Sequence, residues 1–233
     1  FSSFEILNGA GGWDVLDYSA YSSAVVLDLD AGSASGISAF SAFEEIVGGS
    51  STADEIRGTA VGSIFTVDSA NSGTVDGLVY SAFENLLGRG GNDTFALTGS
   101  GSLSGWIKGG LGTDTLDYSL YDSAVTVSLL GGTATGVAKG INSIENLIGS
   151  PFGNTIYGDN NDNIIIGTDA ADTIYGLGGN DILIGLGGDD ILDGGMGSDT
   201  VDYHLNTDAV TVILTTTGGT AVSGSAGNDT LRS

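Results

Sequence analysis

The sequence lacks cysteine and contains few proline, histidine or basic residues. Its 233 residues include no Cys, one Pro, one His and five Lys or Arg. Without cysteine there is neither a disulfide framework nor a thiolate metal site. The single histidine, His204, is expected at the surface, and no Ser/His/Asp grouping recurs. Because the usual nucleophiles and their bases are missing, we predict that the chain is not an enzyme.

Positive charge is scarce because 29 Asp and Glu residues give a formal net charge of -24 at pH 7. Such a charge repels phosphate backbones and anionic lipid headgroups, which argues against nucleic acids and membrane surfaces as partners. No run of about 18 apolar residues, the length that crosses a bilayer, occurs either. If the chain folds, some other group has to hold its carboxylates together.

Glycine is the residue that the chain has in excess. The 41 Gly, together with eight Phe and eight Tyr, disfavour helix interiors and suit turns that join short strands. Apolar residues make up 40% of the chain, which is enough to bury a core in one elongated or two compact domains. We therefore predict an all-β fold with almost no helix.

A nine-residue period runs without interruption from Gly149 to Asp202. Six nonapeptides fit in register: GSPFGNTIY, GDNNDNIII, GTDAADTIY, GLGGNDILI, GLGGDDILD and GGMGSDTVD. Position one is always Gly, position eight is apolar, and position six is Asn154, Asn163, Asp172, Asp181, Asp190 and Asp199. A nonapeptide with six turn-forming residues cannot bury one apolar side chain alone, so these segments must stack as a parallel β-solenoid.

Stacking also predicts where the side chains go. If two nonapeptides complete one coil, position-eight residues of alternate nonapeptides form two inward ladders: Ile156, Ile174 and Leu192 in one, and Ile165, Leu183 and Val201 in the other. Position-six carboxylates of alternate nonapeptides then lie side by side, where like charges raise carboxylate pKa values or open the fold. A cation must intervene, and oxygen ligands without His or Cys clusters favour several Ca²⁺ ions over Zn²⁺ or Mg²⁺.

The same nonapeptide occurs singly elsewhere, with Asp14, Asp54, Asp93, Asp114 and Asp229 at position six. Asp14, Asp93 and Asp114 are candidate calcium ligands, and the alternative for all five is an Asp that caps a turn. A repeated phrase such as Phe43-Glu44-Glu45-Ile46 accompanies these segments. Its acidic residues, Glu44, Glu84 and Glu145, are expected to be turn or surface residues, with a cation contact as the alternative.

A longer repeat overlies the short one. WDVLDYSAYSSAVVLDLDAGSASG from Trp13 matches TDTLDYSLYDSAVTVSLLGGTATG from Thr113, and SDTVDYHLNTDAVTVIL from Ser198 begins a third copy. We therefore predict supermodules at 1–108 and 109–202, the latter containing a β-roll at 149–202, and a truncated third copy at 203–233. The chain is expected to be a monomeric segment of a longer array. Its recurrent Tyr18, Tyr118 and Tyr203 are expected to pack, with sugar stacking as the alternative.

These residues resemble a known family. GGLGTDTLD (109–117) and the run from Gly158 to Asp202 look like the glycine-rich calcium-binding nonapeptides of RTX proteins. In that family the first six residues form a calcium-binding turn and the last three a strand of a right-handed parallel β-roll. The resemblance implies that Asp172, Asp181, Asp190 and Asp199 are the main ligands, with carbonyls of Gly176, Gly178, Gly185, Gly187, Gly194 and Gly195. Because Asn154 and Asn163 replace Asp, sites on that edge are expected to be weaker or absent.

The resemblance also implies a function. We expect a calcium-binding structural or adhesive module of a secreted protein, exported by type I secretion, which folds into a rigid, elongated rod on extracellular Ca²⁺ and has a cell-surface or carbohydrate ligand. The alternative is an accessory calcium-binding region of a secreted hydrolase or polysaccharide-modifying enzyme, because RTX-like modules often follow such catalytic domains.

Overall fold

The computed structural model describes residues 5–207, 209, 211–215, 218–223 and 227–232. Every regular element within these ranges is a β-strand, so the prediction of an all-β chain is confirmed. The described residues accordingly contain no helix long and apolar enough to cross a membrane.

The chain divides into two compact units: Phe1–Thr115 with Gly136–Ile144, and Leu116–Thr135 with Glu145–Ser233. The strand β14 (Thr115–Asp117) lies at the boundary between them in sequence. The supermodule boundaries come from the sequence repeat and stay a prediction. The third supermodule falls partly on residues outside the described ranges, namely 208, 210, 216–217, 224–226 and 233.

The first unit is built of short strands on two main sheets. Its strands are β1 (Leu7–Asn8), β2 (Val15–Asp17), β3 (Val26–Asp28), β4 (Ser33–Ala34), β5 (Phe40–Ser41), β6 (Glu45–Val47), β7 (Glu55–Arg57), β8 (Ile64–Ser69), β9 (Ser72–Val75), β10 (Leu78–Ser81), β11 (Asn85–Gly90), β12 (Thr94–Leu97), β13 (Ile107–Leu111) and β17 (Ile141–Asn142). One sheet has the order β17-β13-β11-β7-β3-β4 and is parallel except at β3–β4. The other runs β2-β6-β10-β9-β8-β12, antiparallel on both sides of β9.

The second unit also has two main sheets, with antiparallel pairs only at the ends of one of them. Its further strands are β15 (Thr126–Ser128), β16 (Thr133–Ala134), β18 (Asn146–Ile148), β19 (Thr155–Tyr157), β20 (Ile164–Thr168), β21 (Thr173–Gly178), β22 (Ile182–Leu186), β23 (Ile191–Met196), β24 (Thr200–Val201), β25 (Thr211–Thr215), β26 (Gly218–Ser223) and β27 (Gly227–Arg232). One sheet has the order β16-β15-β19-β21-β23-β27-β26-β25, and the other contains β18-β20-β22-β24. Consecutive nonapeptides therefore alternate between two parallel sheets.

The core of the second unit consists of the two predicted ladders. Ile156 aligns with Ile174, and Ile174 with Leu192. On the facing sheet Ile165 aligns with Leu183, and Leu183 with Val201. All except the half-buried Val201 are at most 1% exposed. The parallel β-roll with two nonapeptides per coil is thus confirmed.

The first unit builds an equivalent ladder from coils of unequal length. Leu27, Ile56, Leu86, Ile107 and Ile141 align strand by strand across its parallel sheet. Four of them are completely buried, and Ile141 is 6% exposed. The first unit therefore keeps an inward ladder of buried apolar side chains although its sequence does not keep the nine-residue period.

Recurrent tyrosines of the longer repeat pack inside each unit. The buried Tyr18 donates its hydroxyl to the Ser35 carbonyl (2.9 Å), and the buried Tyr118 donates to the Thr135 carbonyl (2.6 Å). Each ring also lies edge-on to a second tyrosine three residues later. Packing, the preferred interpretation of these two side chains, is confirmed.

Candidate metal sites

Position-six side chains of the nonapeptide run are joined coil to coil by hydrogen bonds. The Asn154 N–H donates to Asp172 Oδ1 (2.6 Å), and the Asp172 N–H donates to Asp190 Oδ1 (2.8 Å). On the opposite edge the Asn163 N–H donates to Asp181 Oδ1 (2.9 Å) and the Asp181 N–H to Asp199 Oδ1 (3.0 Å). The side chains predicted to be neighbours, 154 with 172, 172 with 190, 163 with 181 and 181 with 199, are brought together.

The first unit contains the same arrangement. The Ser63 N–H donates to Asp93 Oδ1 (2.7 Å), and the Asp93 N–H donates to Asp114 Oδ1 (2.8 Å). The Val25 N–H likewise donates to Asp54 Oδ1 (2.8 Å). Isolated nonapeptides are therefore turns of the same kind as those in the continuous run.

Glutamates occupy two further places in this series. The Asp54 N–H donates to Glu84 Oε2 (3.0 Å) and the Asp14 N–H to Glu44 Oε2 (2.8 Å). Glu84 is only 5% exposed, and its Oε1 accepts a bond from Asn71 Nδ2 (3.3 Å). Glu84 is buried, so the expectation of a plain turn or surface residue is wrong for Glu84, whereas for the half-buried Glu44 it stays a prediction. Their repetition after phenylalanine at 43 and 83 was the signal that could have found them.

The second carboxylate oxygen folds back over the first glycine of its own turn. A Cβ on Gly176 would come closer than 3.0 Å to Asp181 Oδ2, and a Cβ on Gly185 would come equally close to Asp190 Oδ2. Real Cβ atoms do not approach other atoms so closely. Position one is therefore glycine because the position-six carboxylate occupies the space of a side chain.

Several of these second oxygens are buried and receive no hydrogen bond: Oδ2 of Asp14, Asp93, Asp181 and Asp190. The carbonyl oxygen of Gly194 and Oδ2 of Asp181 both lie within 3.0 Å of the point that a Cβ on Gly176 would occupy. Likewise, the carbonyl oxygen of Gly109 and Oδ2 of Asp93 both lie within 3.0 Å of the point that a Cβ on Gly88 would occupy. Two acceptors thus lie next to the same point. Leaving a buried acceptor unpaired costs roughly 1–3 kcal/mol, and more if it is charged, so a cation, a proton or a water donor at that point would stabilise the fold.

Burial makes the ionised form of these carboxyls costly. Burial raises the pKa of Asp190 to about 7, helped by the carboxylates of Asp229 and Asp172. In the first unit burial likewise raises the pKa of Asp93 to about 7, and Asp114 adds to that rise. Burial also raises the pKa of Asp181, while the N–H of Asn163 opposes the shift. A bound cation would remove this penalty without protonation.

Two carboxylates of the series have both oxygens satisfied by protein donors. Asp172 Oδ2 accepts from the Thr168 N–H (2.6 Å) and lies 3.3 Å from the Thr168 hydroxyl. Asp229 Oδ1 accepts from the Asp190 N–H (3.1 Å), and its Oδ2 accepts from the Tyr203 hydroxyl (2.8 Å). Aspartates at position six therefore differ in whether their second oxygen has a protein donor, although they occupy the same place in the nonapeptide.

The predicted carbonyl donors fall into two groups. Carbonyl oxygens of Gly176, Gly185 and Gly194 lie against the position-six side chains of Asn163, Asp172 and Asp181, respectively. Gly178 and Gly187 donate their N–H groups to the Asp159 and Thr168 carbonyls (2.9 Å each), and Gly195 has a φ of +90°. Within the first group, the Gly185 and Gly194 carbonyls lie beside carboxylates, whereas the Gly176 carbonyl lies beside the amide of Asn163. For Gly178, Gly187 and Gly195 a ligand role stays a prediction.

The donor chemistry fits Ca²⁺. Among the described residues, no three His, Asp or Glu side chains converge as a metal centre, so a cation here would be held by few carboxylates together with backbone carbonyls. Ca²⁺ accepts such all-oxygen sets in flexible geometry, whereas Zn²⁺ prefers nitrogen and sulfur ligands.

One comparison with known proteins agrees with this chemistry. The family model of the RTX calcium-binding nonapeptide repeat (4 copies) matches residues 140–169 and 166–201. Residues 140–201 are RTX repeats. RTX repeats bind Ca²⁺ at several sites and are structural rather than catalytic. None of the curated proteins matches the chain. Asp14, Asp54, Asp93 and Asp114 lie outside the matched RTX repeats.

Proposed function

We propose that this chain is a calcium-dependent structural module of a secreted protein, whose β-roll is completed when Ca²⁺ fills its turns. The observation that carries the proposal is the pair of buried Oδ2 atoms of Asp181 and Asp190, which meet no donor inside the RTX repeats. The half-buried Asp199 continues the same series. In the first unit the proposal extends to Asp14, Asp93 and Asp114.

Charge supports a role outside the cell. At a net charge of -24, a chain without Ca²⁺ repels itself and favours an expanded state, which suits export through a type I secretion channel. Extracellular calcium modules have Kd values of about 10⁻⁴ to 10⁻³ M. Ca²⁺ at about 10 mM would then stabilise each site by roughly 1.4 to 2.7 kcal/mol. A few such sites decide whether a marginally stable fold forms.

The finer parts of the proposal rest on the family. We propose a monomeric segment of a secreted or cell-surface protein with an adhesive role toward a cell-surface or carbohydrate ligand. Their support is the resemblance to large secreted repeat proteins and the RTX match at 140–201.

Calcium dependence is tested by far-UV circular dichroism of the chain in excess EDTA, followed by separate titrations with Ca²⁺ and Mg²⁺. We expect Ca²⁺ to produce a cooperative gain of β signal and a higher Tm, and Mg²⁺ at equal concentration to fail. Asp181→Asn should shift the Ca²⁺ midpoint to higher concentration. Asp122→Asn, which removes one charge at an exposed position, should leave the midpoint unchanged. A metal-free protein with the same spectrum and Tm in EDTA as in Ca²⁺ would contradict the proposal.

A further inference from the structure

Basic residues lie together on the outer face of the parallel sheet of the first unit. The residue that follows each member of the inward ladder points to the outside of this sheet, because side chains alternate along a strand. These residues align strand by strand as Asp28, Arg57, Leu87, Lys108 and Asn142. We call this row, together with Glu55, Arg89 and Trp106 on the same side of the sheet, the basic face.

Positive charge is concentrated on the basic face. It contains three of the five Lys and Arg residues of the chain but only two of its 29 acidic residues. In a chain with a net charge of -24, the basic face therefore has a small positive charge of its own. The equivalent outer row of the second unit has only one basic residue and one acidic residue, and consists of Ser128, Tyr157, Tyr175, Asp193 and Arg232.

Both arginines of the basic face are held in place by a carboxylate. Arg57 Nε donates to Glu55 Oε1 (2.6 Å), and Arg89 Nη1 donates to Asp28 Oδ1 (2.7 Å). The side chains of Arg57 and Arg89 nevertheless stay 40% and 36% exposed, whereas those of their acidic partners are 16% and 17% exposed. Because a guanidinium has several N–H donors in a fixed plane, each arginine can also bind a carboxylate from solution.

Lys108 is the third cation of the basic face. Its Nζ lies 4.0 Å from the centroid of the Trp106 ring, and within the described part of the chain it forms no ion pair. Lys108 is exposed, while Trp106 and Leu87 are half-buried. Apolar surface thus lies directly beside an available positive charge, which suits a ligand that has both C–H surface and carboxylates.

The spacing of the cations indicates a ligand with widely spaced charges. Arg57 and Lys108 lie on β7 and β13, with β11 between these strands, so their Cα atoms are roughly 10 Å apart. Carboxylates on the same side of an extended polymer of uronic acids are one disaccharide apart, which is a comparable length. Duplex DNA has one negative charge per about 1.7 Å, so an acidic chain repels it more strongly than it repels such a polysaccharide.

We infer that the basic face binds an acidic polysaccharide, whose carboxylates contact Arg57, Arg89 and Lys108 and whose sugar rings contact Trp106 and Leu87. This inference deepens the adhesive part of the proposed function, because it names the surface and the class of ligand. Charges more than about 8 Å apart are largely screened at an ionic strength of about 0.15 M. At that salt concentration the cations at the contact therefore outweigh the net negative charge of the chain.

Isothermal titration calorimetry of the whole chain in saturating Ca²⁺ and about 0.15 M NaCl tests the class of ligand. The probes are a hyaluronate hexasaccharide, which has a carboxylate on every second sugar, and the neutral chitohexaose. We expect the hyaluronate hexasaccharide to bind, and chitohexaose to bind about tenfold more weakly or worse, because it lacks the charge-assisted hydrogen bonds. Equal binding of the two sugars, or no binding of hyaluronate, would overturn the inference. Equally tight binding of hexaglutamate would assign the face to acidic peptides instead.

Matched charge variants locate the contact. Lys108→Gln and Arg57→Gln each remove one positive charge from the basic face, and Arg232→Gln removes one from an exposed position of the second unit. We expect each of the first two variants to raise the Kd for the hyaluronate hexasaccharide about tenfold, and Arg232→Gln to change it less than about twofold. Equal losses in all three variants would attribute binding to net charge and overturn the inference. Circular dichroism in Ca²⁺ checks the fold, and if Arg57→Gln does not fold, Lys108→Gln still decides.

The outcomes separate this inference from the proposed calcium function. If Ca²⁺ folds the chain but the hyaluronate hexasaccharide does not bind, the role of the basic face is overturned and the calcium-dependent module stands. If the chain has the same spectrum and Tm in EDTA as in Ca²⁺ and binds the hexasaccharide, the calcium function is overturned and the role of the basic face stands.

Discussion

At the scale of single residues, the glycine at position one is under the tightest steric limit. A Cβ on Gly176 would lie closer than 3.0 Å to Asp181 Oδ2 and to the Gly194 carbonyl. Gly176→Ala should therefore displace an oxygen pair that we propose as calcium donors. We expect a higher Ca²⁺ midpoint by circular dichroism and a loss of roughly 1–3 kcal/mol in the free energy of unfolding, the usual cost of overpacking. Urea unfolding in saturating Ca²⁺ measures the second effect.

Gly11 provides the matched control. A Cβ at Gly11 would have nothing within 4 Å, and its φ is not positive. Gly11→Ala should therefore change the free energy of unfolding by about 0.5 kcal/mol or less. Equal losses for the two variants would show that glycine content, rather than the space taken by the carboxylate, limits position one.

The sequence allowed correct predictions for residues wherever the nine-residue period was intact. Because a fixed period places equivalent residues in equivalent turns, the position-six residues next to Asp172 and Asp181 could be predicted as those 18 residues away in the sequence. Glu84 was missed since its separation from Asp54 is 30 residues instead of the 18 of the regular coils. Its side chain, longer by one carbon, takes the place of an aspartate. The hydrogen bond from the Thr168 N–H to Asp172 was also not predicted, because spacing alone does not reveal the conformation of a turn.

At the scale of the element, each parallel strand contributes one inward side chain to a ladder. In β21, Ile174 is fully buried between Ile156 and Leu192. Ile174→Ala should lower the free energy of unfolding in saturating Ca²⁺ by roughly 2–5 kcal/mol, because it leaves a cavity inside a continuous ladder. Chemical denaturation monitored by circular dichroism would measure this loss.

The neighbouring Thr173 is the control within the same strand. It is half-buried and alternates to the outer face, so Thr173→Ala should cost about 1 kcal/mol or less, the span of β-propensity. A loss as large as that of Ile174→Ala would mean that the core does not lie where the ladder places it.

Elements without the nonapeptide period were harder to predict. The antiparallel strand β9 lies between β8 and β10 in the first unit, and no sequence repeat predicts it. Its turn to β10 consists of Asp76 (φ +49°) and Gly77 (φ +89°). This Asp-Gly pair with two positive φ values is a characteristic two-residue hairpin connection. This local signal lies between two strands that do not belong to the nonapeptide repeat, so the repeat does not predict the hairpin.

At the scale of the whole molecule, acidity couples folding to pH. Burial raises the pKa of Asp93 and of Asp190 to about 7, whereas an unfolded aspartate has a pKa of about 3.9. The folded state therefore binds protons more readily than the unfolded state between these values. This contribution to stability is complete below about pH 4 and is lost as the pH rises to about 7. In EDTA we expect the Tm, measured by circular dichroism, to fall continuously from pH 4 to pH 8.

Calcium and one matched pair of variants distinguish the buried carboxyls from general charge repulsion. Because the proposed Ca²⁺ would neutralise these carboxylates in place of a proton, saturating Ca²⁺ should remove most of the fall in Tm above pH 6. In EDTA, Asp190→Asn should flatten the pH dependence more than Asp122→Asn, although each variant removes one negative charge and Asp122 is exposed. If both variants flatten the curve equally, the pH response comes from the net charge of the chain and not from the buried turns.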